Sequence, residues 1–348
     1  MQLATSREMS LNLWRARPRG REHVGERVRR ENRVRLALLA LAVVAAALAF
    51  LLTGVSLDKP ALFAYSMKIR LPKMAAMLVA AVGIGGATLV FQSVIRNTVV
   101  TPCLLGMNAL YTLVHTSMAF VMGTGAFLAI NANLSFLLDL AVMSGVAMVV
   151  YGLLFRATHY NVLYILLVGM VLSSLFGSIQ NTLVRVMDPN EYETLLVTLV
   201  PSFSNMNVQV VALAAVLLVA VGVAFRRDLA LLDVIGLGKD QAVNLGVEYN
   251  ATIRRLLLFV TLCISIATAL VGPISFLGLI IANLSRQLLR TYRHSQLIAG
   301  SALVGMLVLF AGEALTERAF HYLVPVSVFV SAGGGLYFLW LLLRTRQA

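Results

Sequence analysis

The sequence is poor in charge. Charged residues make up 12% of its 348 positions, about half the share in an ordinary soluble domain, and a soluble globular fold is excluded. Cysteine is nearly absent: Cys103 and Cys263, both in apolar surroundings, give neither a disulfide framework nor a metal-ligand spacing. No His-Glu-x-x-His, no Cys/His cluster and no Gly-x-Ser-x-Gly occurs. No catalytic residue, no metal site and no cofactor is therefore expected. A P-loop is lacking too. Gly236-Leu-Gly-Lys239 has the look of one, but the motif needs Gly at 233 and Ser or Thr at 240, where Asp233 and Asp240 stand. ATP hydrolysis is not expected of this chain. Acids inside apolar runs are scarce as well. Asp139 is read as the only one well inside a run, about a turn and a half from its end. A buried charge there is a functional candidate by default, and a place near the interface, hydrated or hydrogen-bonded, is the simpler reading. An ion-coupled transporter would carry more such groups, so any driving energy is expected from outside the chain.

What is present is apolar: 59% hydrophobic residues and a mean hydropathy of +0.87. Repeated apolar runs approach 20 residues, the length of a membrane-crossing helix. The alternating ten-residue segments of a membrane barrel do not occur. The expected fold is an all-α polytopic membrane protein of ten spans: 36–54, 72–95, 102–122, 134–155, 162–184, 208–225, 256–271, 274–289, 297–315 and 323–343, with a short apolar helix at 195–200. The first run follows a charged stretch of about 35 residues, too long for the n-region of a signal peptide, and is read as an uncleaved helix.

Positive charge orients the chain. The net charge is +13, and Met1–Arg35 holds ten arginines and four glutamates. Such a tail beside a membrane helix marks the cytoplasmic side and meets anionic lipid; nucleic-acid binding is not indicated. With ten crossings and the tail inside, 22 Lys/Arg fall inside and six outside, and both termini are cytoplasmic. Reading 256–289 as one helix would move Arg286, Arg290 and Arg293 outside. Gly272-Pro273 is therefore a turn, because proline lacks an amide proton and disfavours helix before it. Both flanking spans are short, so the turn is expected at or below the outer surface, lining a pathway.

Several polar features stand out. Gly169, Ser173, Gly177, Gln180 and Asn181 share one helical face, read either as close packing or as a translocation path. Asn108, Thr112 and His115 form a weaker stripe, and His115 reads as a packing residue. In the loop 226–255, apolar Leu232, Ile235, Ala242, Val243 and Leu245 alternate with charges, and Gly246 offers a helix stop. Two short amphipathic helices result, either a self-packed surface loop or a docking platform. Lys68, Arg70 and Lys73 cluster outside, where cations are otherwise rare, and could steer an acidic partner or an anionic ligand.

Four stretches in order resemble one family. They are IRLPK (Ile69–Lys73), GATLVFQSVIRNTVVTPCLLGMN (Gly86–Asn108), IGLGKDQAVNLGV (Ile235–Val247) and VGPISFLGLIIANLSR (Val271–Arg286). Together they resemble the FecCD-type permeases of ABC importers, which carry cobalamin and ferric siderophores. The resemblance implies a cytoplasmic tail at 1–35 and a ten-helix permease domain at 36–348 in the bacterial inner membrane. It implies a second permease subunit, alike or similar, two cytoplasmic ATPase subunits and an extracytoplasmic binding protein, with a ferric siderophore as cargo. Cobalamin or heme, or an ion-coupled secondary transporter, are the alternatives. By the same resemblance Arg70, Lys73 and Arg318 would dock the binding protein. Leu232, Ile235, Gly236, Ala242, Leu245 and Gly246 would dock the ATPase, whose motion would pass to spans three, four and five. Asn97 and Val99 would form an inner gate. Gly272, Pro273, Gly278, Asn283 and Arg286 match a further family motif. The chain departs from the pattern at Ala282-Asn283, where the family has Pro-His, and at Thr98, where proline is usual. No role of that histidine carries over.

Overall fold

The computed structural model describes residues 19–53, 59–157, 162–204 and 206–345; the first 18 residues of the tail, Gly54 and Arg346 lie outside them. Among the described residues ten helices have twelve residues or more, and each coincides with one expected span. They are α1 (Arg19–Leu52), α2 (Pro60–Ile95), α3 (Met107–Met122), α4 (Ala132–Ala157), α5 (Val162–Val186), α6 (Val208–Ala224), α7 (Tyr249–Val271), α8 (Leu277–Leu288), α9 (His294–Arg318) and α10 (Val326–Thr345). Six contain stretches long and apolar enough to cross a membrane by themselves: α1, α2, α4, α5, α7 and α9. Shorter helices lie between them, at Pro189–Leu199 and in the loop between α6 and α7. α2 ends and α9 begins at one face of the bundle, here the near face, and the opposite ends of both helices lie at the far face.

Four helices are clearly longer than their apolar runs, one of them α7, which begins at Tyr249, ahead of the expected start at 256. α1 extends back to Arg19 through the charged tail. α2 begins at Pro60, twelve residues before the expected start, and Pro72 lies inside it. Proline at the first helical position loses nothing, since that amide has no intrahelical partner. Pro72 removes one ladder bond, a loss that neighbouring groups can offset in a packed membrane helix. α9 runs on to Arg318.

α2 is the core. From Ala76 to Ile95 nearly every side chain is buried, and α6, α7, α8 and α9 surround it. Small residues permit the approach. A Cβ on Gly83 would stand 3.2 Å from the Cys263 carbonyl oxygen of α7, and one on Gly305 of α9 would stand 3.0 Å from the Ala81 Cβ. With no solvent to drive helices together in a bilayer, such contact and shared hydrogen bonds supply the attraction.

The break at Gly272-Pro273 is present. α7 stops at Val271, residues 272–276 are non-helical, and α8 has only 12 residues, about 18 Å of helix against about 30 Å of hydrocarbon. The turn therefore sits within the membrane thickness. Gly272 has φ +83°, and a Cβ there would stand 2.9 Å from the Pro201 Cα. Replacing Gly272 by Val is expected to destabilise the protein by about 1–3 kcal/mol from backbone strain alone. Thermal unfolding in detergent reads this, and an unshifted transition would contradict the account.

Candidate functional site

At the far face the expected cation cluster is built from two helices. Arg70 pairs with Glu317, and Lys73 with Glu313, each joining α2 to α9. Arg70 also donates to the Thr53 carbonyl at 2.9 Å and to the Phe50 carbonyl, so it caps the end of α1. Lys73 is 5% exposed and Glu313 is 3% exposed. Tyr322 covers them, its ring 4.6 Å from the Lys73 Nζ. Burial, with Glu317 and Glu313 near, pushes the Tyr322 phenol up to about 12, so it stays neutral. Arg318 is exposed and, among the described residues, has no ion-pair partner. With Arg70 and Glu317 it rims a cavity of about 550 Å³ between α1 and α9, floored by Ala46, Ala311 and Phe310. The three candidate docking cations thus divide: Arg318 is free, Arg70 is engaged but near the surface, and Lys73 is enclosed.

The α7–α8 turn is held by side chains from other helices. Asn108 of α3 donates to the Ser275 Oγ at 2.9 Å, and the Ser202 amide donates to the Val271 carbonyl at 3.2 Å. Gly278 lies against Thr88 of α2 with no room for a Cβ. Thr112 turns its hydroxyl back to the Ala109 carbonyl at 2.9 Å. On α5, Ser173 meets the start of α3 at Gly106, and its hydroxyl donates to the Gly169 carbonyl at 2.9 Å. Gly177 faces open space, Gln180 is half-buried and Asn181 is exposed. Neither amide is hydrogen-bonded within the described residues. α5 therefore leaves a polar strip uncovered by its own chain, at a cost in lipid that a partner or an aqueous path would remove.

At the near face a network joins α2, α8 and the segment between α2 and α3. Gln92 donates to the Thr98 carbonyl at 2.7 Å, and Asn283 donates to the same oxygen at 3.2 Å. Arg286 donates to the Gln92 Oε1 at 3.4 Å. Asn97 folds an Asx turn, its Oδ1 accepting from the Val99 amide at 2.9 Å. The candidate gate residues Asn97 and Val99 and the motif residues Asn283 and Arg286 are thus one cluster, while Gly272 and Pro273 lie at the other end of the same motif.

The loop between α6 and α7 holds short helices at Arg226–Ala230, Leu232–Ile235 and Lys239–Asn244. Leu232, Ile235 and Ala242 are fully buried and anchor the loop. Leu245 is exposed, as are Leu237 and Val243, and Gly246 has φ +82°. Gly236 closes the second short helix. Arg255 of α7 donates to Asp228 at 2.7 Å. The loop packs on α2, α7 and α9.

Two readings of buried charge change. Asp139 is 4% exposed: its Oδ2 lies 3.4 Å from the His115 Nε2, beside a cavity of about 300 Å³. His115 is therefore a contact partner of Asp139 as well as a packing residue, its ring 4.0 Å from that of Tyr111. Asp139 is also not the only acid within a span. Glu313 was hidden by the assumed end of the ninth run at 315; with α9 reaching Arg318, Glu313 lies more than a turn inside.

Residues 55–344 match the FecCD transport family. The chain is 34% identical over 284 residues to the petrobactin import system permease protein YclO of Bacillus subtilis, covering 82% of this chain and 90% of that one. It is 32% identical over 292 residues to the petrobactin import system permease protein FatC of Bacillus anthracis, covering 84% of this chain and 82% of that one. A solved inward-facing structure of a chain described as a metal-chelate type ABC transporter superposes with a TM-score of 0.70. It covers 89% of this chain and 99% of that chain at 21% identity, a likeness of fold.

Removing one partner of a buried ion pair costs about 3–5 kcal/mol, because the other charge is left unpaired. Glu313→Ala or Lys73→Ala is expected to destabilise on that scale, and Lys73→Met combined with Glu313→Leu to recover most of it. Melting of the three variants in detergent checks this; equal melting of wild type and Glu313→Ala would contradict the pairing.

Proposed function

This chain belongs to the FecCD transport family, and from that premise we propose that it is the permease subunit of an ATP-driven importer of a ferric siderophore. It is a multi-pass protein of the inner membrane, without an ATPase site of its own. The observation that carries the substrate class is the 34% identity to a petrobactin permease over most of both chains. The iron chelate is cargo, and no residue here is assigned to bind the metal.

The geometry supports a division of labour. A binding protein would bring acids to the far face, where Arg318 is free and Arg70 lies at the rim of the cavity. Lys73, locked to Glu313, would shape that surface from beneath and would not touch the partner. Two ATPase subunits would meet the near face on exposed Leu237, Val243 and Leu245. A second permease subunit would cover the polar strip of α5, and the chelate would pass along Asn108, Thr112, Ser173, Gly177, Gln180 and Asn181. The cluster of Asn97, Val99, Asn283 and Arg286 would close the inner end. Weak, wide contacts suit a bulky cargo that must leave again.

Cells lacking this chain are expected to lose uptake of iron supplied as ferric siderophore, and cells whose partner ATPase cannot hydrolyse ATP are expected to lose it equally. Uptake that survives the ATPase defect and collapses with the ion gradient would identify a secondary transporter. Arg318→Glu should raise the binding-protein concentration needed for half-maximal uptake about tenfold, about 1.4 kcal/mol, with a shallower dependence on salt, because one screened attraction is lost. An unchanged requirement would remove Arg318 from the docking surface.

A further inference from the structure

One side chain ties the near-face loop to the helices that carry the inner cluster. Asp233 lies in the short helix Leu232–Ile235, between the two residues that anchor the loop. Its Oδ1 accepts twice from His294: from the backbone amide at 2.9 Å and from the ring Nδ1 at 2.6 Å. His294 opens α9, where first-turn amides have no intrahelical partner and a carboxylate is favoured by the helix dipole. The other ring nitrogen, Nε2, is 2.8 Å from the Ser93 Oγ on the last turn of α2. The His294 ring also packs against the loop at Gly236. One imidazole therefore joins the loop, α9 and α2, across 61 positions on one side and 201 on the other.

The bonding of this ring is complete. A carboxylate only accepts, so Nδ1 carries a proton. Ser93 Oγ stands 2.8 Å from the Leu89 carbonyl. Its proton goes to that carbonyl, with Nε2 donating from an imidazolium, or to Nε2 of the neutral ring. Both states keep the chain Asp233–His294–Ser93 intact. Ser93 adjoins Gln92, which holds the Thr98 carbonyl and accepts from Arg286. Arg96, at φ +57°, then turns the chain out of α2 toward Asn97 and Val99.

We propose that His294 is a positioning residue for transport: it transmits displacement of the near-face loop into α2 and α9, and through Gln92 into the inner gate. This rests on reading that loop as the ATPase platform. Leu232 and Ile235 hold the loop in place, but apolar contact is non-directional and lets surfaces slide. Hydrogen bonds of 2.6–2.9 Å are short and directional, so they fix register between the three elements and carry a push along the chain. The route enters at α2 and α9 and reaches α8 and the segment before α3 through the Thr98 carbonyl.

The test uses the full complex in proteoliposomes and reads chelate imported per ATP hydrolysed. His294→Ala and Asp233→Ala are each expected to lower that ratio about tenfold, within the usual range of coupling between sites. The binding-protein concentration for half-maximal hydrolysis should stay put. Asp233→Asn keeps the acceptor for both His294 protons and should retain at least half the wild-type ratio. The double variant Asp233→Ala with His294→Ala should be no worse than either single change, since both cut one link. A wild-type ratio in His294→Ala, or additive losses with Asn no better than Ala at 233, overturns the proposal. If His294→Ala does not assemble, Ser93→Ala decides, since it removes only the hydroxyl: a wild-type ratio there overturns the relay. Import by a complex with the wild-type permease and an ATPase that cannot hydrolyse defeats the ATP-driven reading itself, and the relay falls with it.

Discussion

A backbone that leaves its helix inside a bilayer finds no water to bond to, and protein must satisfy it. Residues 272–276 face that constraint, and the bundle is arranged around them. The segment before α6 closes from one side, where Ser202 takes the Val271 carbonyl. α3 sends in Asn108. α2 lies against Gly278, and α10 gives up a side chain at Gly334, where Phe276 sits. Four parts of the chain converge on residues 271–278. Because α8 starts from this turn, its position sets where Asn283 and Arg286 arrive further along the helix. The inner cluster inherits its geometry from a turn in the opposite half of the protein.

α2 and α9 form the other fixed relation. They run antiparallel, in contact through small residues, and are pinned at both ends. Arg70–Glu317 and Lys73–Glu313 hold the far end; Ser93–His294 holds the near end. The far pins are ionic and largely buried, where a lost partner is expensive. The near pin is a hydrogen bond that shares its imidazole with the loop. α1 joins this pair, its Arg35 donating to the Leu288 carbonyl at 2.8 Å and its Asn32 to the Arg290 carbonyl at 3.0 Å. The charged extension of α1 is thus used to cap α8 and is more than a lipid-facing tail.

The helices were legible because the bilayer imposes length. Each apolar run near 20 residues became a helix, and the Gly-Pro pair marked the one place where a long run divides. Helix ends were less legible, for one physical reason. Apolarity stops at the membrane surface, while hydrogen bonding in a helix does not. α1, α2 and α9 each continue through charged residues, and that error concealed Glu313 and Glu317. The site was legible as stretches and not as contacts. Asn97, Asn283 and Arg286 were singled out by motif, but Gln92, which joins Arg286 to the Thr98 carbonyl, looked like any polar residue near a helix end. Arg70 and Glu317 stand 247 positions apart, and Asp233 and His294 stand 61 apart. With one sequence, no local pattern signals such pairs. Asp139 and His115 were each noticed, and only the packing of α4 on α3 brings them together.

Two helices clamped at both ends would tilt as one body. The far end of that body carries Arg70 and Arg318, and its near end carries Ser93 and His294. Under the proposed function, one partner grips each end of a single rigid lever. Thermodynamic reciprocity then applies. If nucleotide state at the near face favours one tilt, the binding protein at the far face must feel the same free energy, and its grip must change by the same factor. Release of cargo and firing of the motor would be two readings of one angle.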